Sequence, residues 1–111
     1  MEVARAAVDI AGEKQAANIV LLDAREVCSF ADYFVICSGD NERQIRTIYD
    51  EIEHSLKKSG VAPHHYEGTV DSGWLLLDYG DVIIHVFGAR ERDFYNLDEL
   101  WQGAKTVLRV Q

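Results

Sequence analysis

The sequence predicts an α/β (α+β) domain in which a mixed β-sheet of about five strands carries flanking helices. Three observations predict it. Short β-branched and aromatic runs alternate with stretches of helical period, a two-residue glycine turn joins the two strongest strands, and the length suits one core. With 111 residues, 48% hydrophobic, 27% charged and a single proline, the chain reads as one domain, 1–111. Such a chain buries roughly two-thirds of its unfolded surface without disulfides or a structural metal.

Each element has its own signal. Val3, Ala6, Ala7 and Ile10 recur at helical spacing, with Glu2, Arg5, Asp9 and Glu13 on other faces, so a first amphipathic helix should end near Gln15. Ile19, Val20, Leu21 and Leu22 form an apolar run too short for a helix, as in a strand buried on both faces. Tyr33, Phe34, Val35, Ile36 and Cys37 make a second strand, stopped by Ser38 and Gly39. Asn41 and Gln44 have the form of a capping box, after which Ile45, Ile48, Tyr49, Ile52 and Leu56 keep one stripe. Lys57 and Lys58 suit the negative end of that helix, and Gly60 and Pro63 stop it.

A short extended piece over 65–68 precedes strands over 74–79 and 82–87, joined by Gly80 and Asp81. Asn96 with Glu99 offers a second capping box, with Tyr95 stapling onto Leu100 and an apolar side of Leu97, Leu100, Trp101 and Ala104. Residues 106–110 fit a continuation of that helix or a short strand.

A two-residue turn sets the hairpin register: Tyr79 opposite Val82, Leu77 opposite Ile84, Trp74 opposite Phe87. One face then carries Leu75, Leu77, Tyr79, Val82, Ile84 and Val86, a core surface. The other carries Trp74, Leu76, Asp78, Ile83, His85 and Phe87, a mixture of aromatic, acidic and imidazole groups. That face is either an interface or a sheet face covered by a helix, with Asp78 and His85 satisfying each other.

Composition narrows the chemistry. Eleven Lys and Arg against 19 Asp and Glu give a net charge of -8, spread along the chain rather than gathered in a tail. This argues against a protein that grips phosphate backbones and favours a basic partner. Cys28 and Cys37 lack CxxC spacing and read as reduced thiols. No apolar run approaches the roughly 18 residues of a membrane span, and the first residues read as an acidic helix rather than a signal. A soluble cytoplasmic protein is therefore expected.

The chemical motifs are weak. The turn at Ser38, Gly39, Asp40 and Asn41 precedes a helix N-terminus but has no phosphate-loop spacing, and Asp40 would repel an anion. His54, His64 and His65 have no zinc-ligand spacing. Cys37, His85 and Asp78 supply the residue types of a nucleophile triad, yet a cysteine ending an apolar strand is more often an inert core thiol. Neither a metal nor a cofactor is expected.

In order along the chain, SFADYFVICSG (29–39), Arg43 with Gln44, Glu67 with Gly68, WLLLDYGDVIIHVF (74–87) and RDFYNLDELW (92–101) resemble the Iojap family, that of the ribosomal silencing factor RsfS. The resemblance runs from the first helix to Trp101; Asn41 stands where the family has a serine cap, and Asp98 where it usually has glutamate. It implies a nucleotidyltransferase-like fold lacking catalytic residues, with no enzyme activity, since the strand reading Trp74, Leu75, Leu76, Leu77 lacks an acidic metal-binding pair. It further implies a translational repressor that docks on the large ribosomal subunit through its ribosomal protein fourteen and blocks joining of the small subunit. A homodimer is implied as well, and direct sequence-specific nucleic-acid binding is not. The partner-binding surface expected on these grounds comprises Trp74, Leu76, Asp78, Tyr79, Asp81, Arg92, Tyr95 and Trp101. The aromatic residues would be anchors, and the carboxylates would meet Lys or Arg. The alternative readings are a metal-dependent nucleotidyltransferase-like enzyme and a dimeric adaptor for another basic protein.

Overall fold

The computed structural model describes residues 2–95 and 103–110. Along the chain run α1 (Glu2–Glu13), β1 (Ala17–Asp23), β2 (Tyr33–Gly39), α2 (Glu42–Lys58), β3 (His65–Thr69), β4 (Trp74–Asp78), β5 (Val82–Gly88), α3 (Ala89–Tyr95) and β6 (Lys105–Val110), with one 3-10 turn at Val70–Ser72. The strands form a single six-stranded sheet in the order β3-β4-β5-β2-β1-β6. Every neighbouring pair is antiparallel except β2 with β5. The sheet is thus the mixed one expected, with one strand more. The added strand is β6, the stretch whose sequence fitted helix or strand equally, and pairing with β1 decides it.

The two faces of the sheet have separate cores. On one, Ala4, Ala7, Val8 and Ala11 of α1 and Ile45, Ile48, Tyr49, Ile52 and Leu56 of α2 pack on the inward residues of the sheet, including Leu21, Val35, Leu77 and Ile84. The other holds Val20, Leu22, Phe34, Ile36, Ile83 and Phe87, with Trp74 and Leu76 half-buried beside them. Alternation along each strand thus feeds two cores at once.

Local chemistry explains the ends of α2. The Gln44 backbone N–H donates to the Asn41 side chain at 2.8 Å, as the capping box requires, but the Gln44 carboxamide reaches one residue further back and accepts from the Asp40 N–H at 2.6 Å. Two of the N–H groups at this turn, those of Asp40 and Gln44, are therefore occupied by the chain's own side chains. The helix ends at Lys58, with Ser59 as its cap.

Helix α3 was not anticipated. Its sequence, ARERDFY, has no apolar period, and the expected helix beginning near Asn96, with its cap, its staple and Trp101, lies outside the described residues. Among the described residues no helix is long and apolar enough to cross a membrane.

Candidate functional site

The hairpin register places the site. Trp74 pairs with Phe87, Leu76 with His85 and Asp78 with Ile83, as a two-residue turn demands. Gly80 adopts φ of 92°, a conformation that suits glycine, and the Tyr79 N–H donates to the Val82 carbonyl at 2.8 Å. Trp74, Leu76 and Asp78 consequently line up on the face turned away from α1 and α2.

A buried imidazole holds the indole of Trp74. The Trp74 Nε1–H donates to His85 Nδ1 at 3.1 Å, and the indole stacks on Phe87 with ring centres 5.0 Å apart. His85 itself stacks on Phe87 at 6.0 Å and lies 5.8 Å from Phe34. Burial lowers the His85 pKa from 6.5 to about 4, so the ring is neutral at pH 7. Because Nδ1 accepts, the ring proton sits on Nε2, which is buried and has no hydrogen-bond partner. The ring therefore spends its single acceptor on fixing Trp74.

Around this pair the surface is half-open. Trp74, Leu76 and Asp78 are half-buried and Asp81 is exposed, whereas Phe87 is 1% exposed and belongs to the core. Trp74 and Leu76 with Glu67, Gly68 and Ser72 line a hollow of about 250 Å³. Gly68 is required here: its φ is 91° and an added Cβ would run into the Trp74 carbonyl. Acidic groups rim the apolar centre. The Glu67 carboxylate accepts from His65 Nε2 at 2.8 Å on the exposed edge strand, and Asp78 and Asp81 flank the turn.

Asp78 and His85 do not satisfy each other. The Asp78 carboxylate accepts from the Gly80 N–H at 2.7 Å, closing its own turn, while His85 serves Trp74. The triad types are also separated: Cys37 packs in the core under the helices, on the opposite side of the sheet from His85. Burial pushes the Cys37 thiol up to about 12, so no thiolate is available at pH 7.

The remaining expected contact residues fall elsewhere. Tyr79 is 6% exposed on the helix-covered face. Arg92 is buried; its Nη1 donates to the Asn18 carbonyl and lies 3.5 Å from Ser38 Oγ. It ties α3 to the irregular start of β1, where the register with β2 shifts. Tyr95 closes α3, and Trp101 lies outside the described residues. The structure thus gathers Trp74, Leu76 and Asp78 on one half-open face, with Asp81 exposed in the adjoining turn and Tyr79 and Arg92 facing the interior. Reasoning from sequence missed His85 as the support of Trp74, although their diagonal placement on one hairpin face was the signal.

Whole-chain comparisons identify the family. A family model described as ribosomal silencing factor during starvation, RsfS, matches residues 1–111. The chain is 37% identical over 106 residues to the ribosomal silencing factor RsfS of Halalkalibacterium halodurans, covering 96% of this chain and 91% of that protein. It is 38% identical over 104 residues to the protein of the same name from Bacillus subtilis, covering 94% and 86%. A crystal structure of a Chromobacterium violaceum protein matches with a TM-score of 0.87 at 28% identity, covering 96% of this chain and 91% of that one. From one end of the sheet to the other, then, this chain belongs to the ribosomal silencing factor family.

Proposed function

We propose that this chain is a translational repressor that binds the large ribosomal subunit through ribosomal protein fourteen and sterically prevents the small subunit from joining. The observation that carries the reading is the hairpin face: a half-exposed indole held by His85 beside Leu76, with Glu67, Asp78 and Asp81 around it. An apolar centre with a charged rim is the anatomy of a protein interface. Its acidic sign, on a chain of net charge -8, favours a basic ribosomal protein and disfavours the RNA beside it.

The mechanism asks only for binding. The Trp74 ring enters an apolar pocket of the partner without first losing rotational freedom, because the His85 bond and the Phe87 stack have already fixed it. The carboxylates at the turn meet Lys or Arg and set orientation. Catalysis has little to draw on, since the one carboxylate of β4, that of Asp78, is committed to the Gly80 N–H. A cytoplasmic site of action and self-association when ribosomes are absent complete the proposal.

Order of addition tests it. Purified large subunits incubated with the chain before small subunits are added should form fewer joined ribosomes than when the chain is added last. Equal yields in both orders, with the chain in saturating excess, would refute steric exclusion.

A further inference from the structure

Two aromatic side chains of the described residues stand well out in solvent, Tyr66 at 64% and Phe30 at 60% exposure. They lie on opposite sides of the sheet. Tyr66 pairs with Leu77 of the helix-covered core and so shares its side. Phe30 meets the edge of the Phe34 ring, with centroids 6.3 Å apart, and Phe34 belongs to the other core, beside Trp74 and Leu76. From Phe30 the row of rings continues to Phe34, to His85 at 5.8 Å and on to Trp74 at 5.9 Å. Its middle members, Phe34 and His85, are buried, and it opens to solvent at Trp74 and at Phe30.

The loop that carries Phe30 is fastened at both ends. The Ala24 N–H donates to the Asp32 carbonyl at 2.8 Å, and the N–H groups of Val27 and Cys28 both donate to the Ala24 carbonyl, at 3.1 and 2.9 Å. Ala24 and Ala31 are buried in the core below. At its far end the loop is tied to the hairpin, because the N–H groups of Asp32 and Tyr33 donate to the Asp81 carbonyl at 2.8 and 3.0 Å. The Phe30 backbone is thus placed before any partner arrives, which lowers the entropic cost of a contact there. Asp32 and Asp81 are both exposed at that junction, and Arg25, the loop's own cation, is paired with Asp23 at 2.7 Å. An exposed ring with an acidic flank repeats the chemistry found at Trp74.

We propose that Phe30 is a second aromatic anchor, seated in an apolar depression flanked by Lys or Arg on the same basic ribosomal protein that receives Trp74. The inference rests on the reading of the hairpin as the docking surface and extends that surface across β5 and β2. Size favours the extension. A stable interface covers roughly 800 Å² on each partner, far more than Trp74, Leu76 and Asp78 can offer by themselves. Trp74 and Phe34 are separated by two strand spacings of about 4.8 Å and four residues of about 3.3 Å, so Trp74 and Phe30 fit within one such footprint. Two anchors at opposite ends of it also fix the partner's orientation, which a single ring cannot do. Asp32 and Asp81 repel phosphate, so the occupant is protein rather than RNA.

The test measures binding to purified large subunits and to isolated ribosomal protein fourteen. Phe30→Ala should bind both about tenfold more weakly than the parent. Phe30→Leu, which keeps most of the apolar bulk, should lose about threefold, and Tyr66→Ala, on the other side of the sheet, should bind like the parent. Hydroxyl-radical labelling of the parent chain, read by mass spectrometry, checks the contact without a substitution. Phe30 should be oxidised in the free chain and protected in both complexes, with Tyr66 oxidised equally in all. The proposal is overturned if Phe30 is labelled in the complexes as in the free chain, or if Phe30→Ala binds as Tyr66→Ala does; hairpin docking would still stand if Leu76→Lys loses binding. Protection on the subunit without protection on the isolated protein would assign Phe30 to RNA or to a neighbouring protein and overturn it too. A parent that binds neither target would refute hairpin docking and this inference together.

Discussion

Replacing His85 by phenylalanine should remove a defined part of the chain's acid sensitivity. Burial holds the His85 pKa at about 4, against 6.5 for the exposed group. As the pH falls below that ordinary value the unfolded chain gains a proton that the folded chain refuses, so the folded state loses stability until the pH reaches the folded value. Above it both states are neutral and nothing is lost. Each unit between the two values is worth about 1.4 kcal/mol, so the loss between about pH 7 and about pH 5 comes to about 2 kcal/mol. Phenylalanine keeps a ring between Phe34 and Phe87 but cannot titrate. Urea unfolding of both chains at both pH values gives four stabilities, and the parent should lose about 2 kcal/mol more than His85→Phe over the interval. Equal losses would mean that His85 is not held neutral, and the account of how Trp74 is oriented would fail with it.

Three further outcomes follow from the packing. Arg92→Met should destabilise the chain by about 1–3 kcal/mol in the same urea assay, because the charged hydrogen bond from the buried Arg92 guanidinium to the Asn18 carbonyl is lost; no loss would show α3 to be held by other contacts. Light scattering at tens of micromolar should give a dimer mass that Leu76→Lys reduces to a monomer, since Leu76 and Trp74 are the half-open apolar groups of the hairpin; a parent that is already monomeric would refute self-association. Incubation with nucleoside triphosphates and magnesium or manganese should yield no nucleotidyl transfer, and metal-dependent turnover abolished by Asp78→Asn would restore the enzyme reading.

What could be read from the sequence follows a physical line. The β4–β5 register was legible because a two-residue turn leaves one pairing, and α2 because its apolar stripe and its Asn41 cap coincide. Helix α3 was not, since it is held by the long-range bonds of Arg92 rather than by an apolar period. Strand β6 was undecided for a similar reason: alternation over six residues fits two structures until β1 supplies a partner. The candidate surface was legible as a face but not as a set of bonds. Asp78 and His85 are diagonal neighbours, yet local turn geometry claims one and an indole N–H claims the other. Tyr79 could be assigned to the core side from alternation alone, and it lies there.

The central claim is that the hairpin face docks on a basic protein of the large subunit, and charge reversal there tests it most directly. Asp81 is exposed and, among the described residues, contributes only its backbone carbonyl to the fold, accepting from the N–H groups of Asp32 and Tyr33, so Asp81→Lys changes charge without removing a side-chain bond described there. Leu76→Lys places a cation at the apolar centre, and Glu13→Lys makes the same charge change as Asp81→Lys at the end of α1. With melting temperatures confirmed to match the parent, co-sedimentation with purified large subunits should show Asp81→Lys and Leu76→Lys bound about tenfold or more weakly, a loss of about 1.4 kcal/mol, and Glu13→Lys bound like the parent. If all three variants sediment with the subunit as the parent does, the hairpin is not the docking surface.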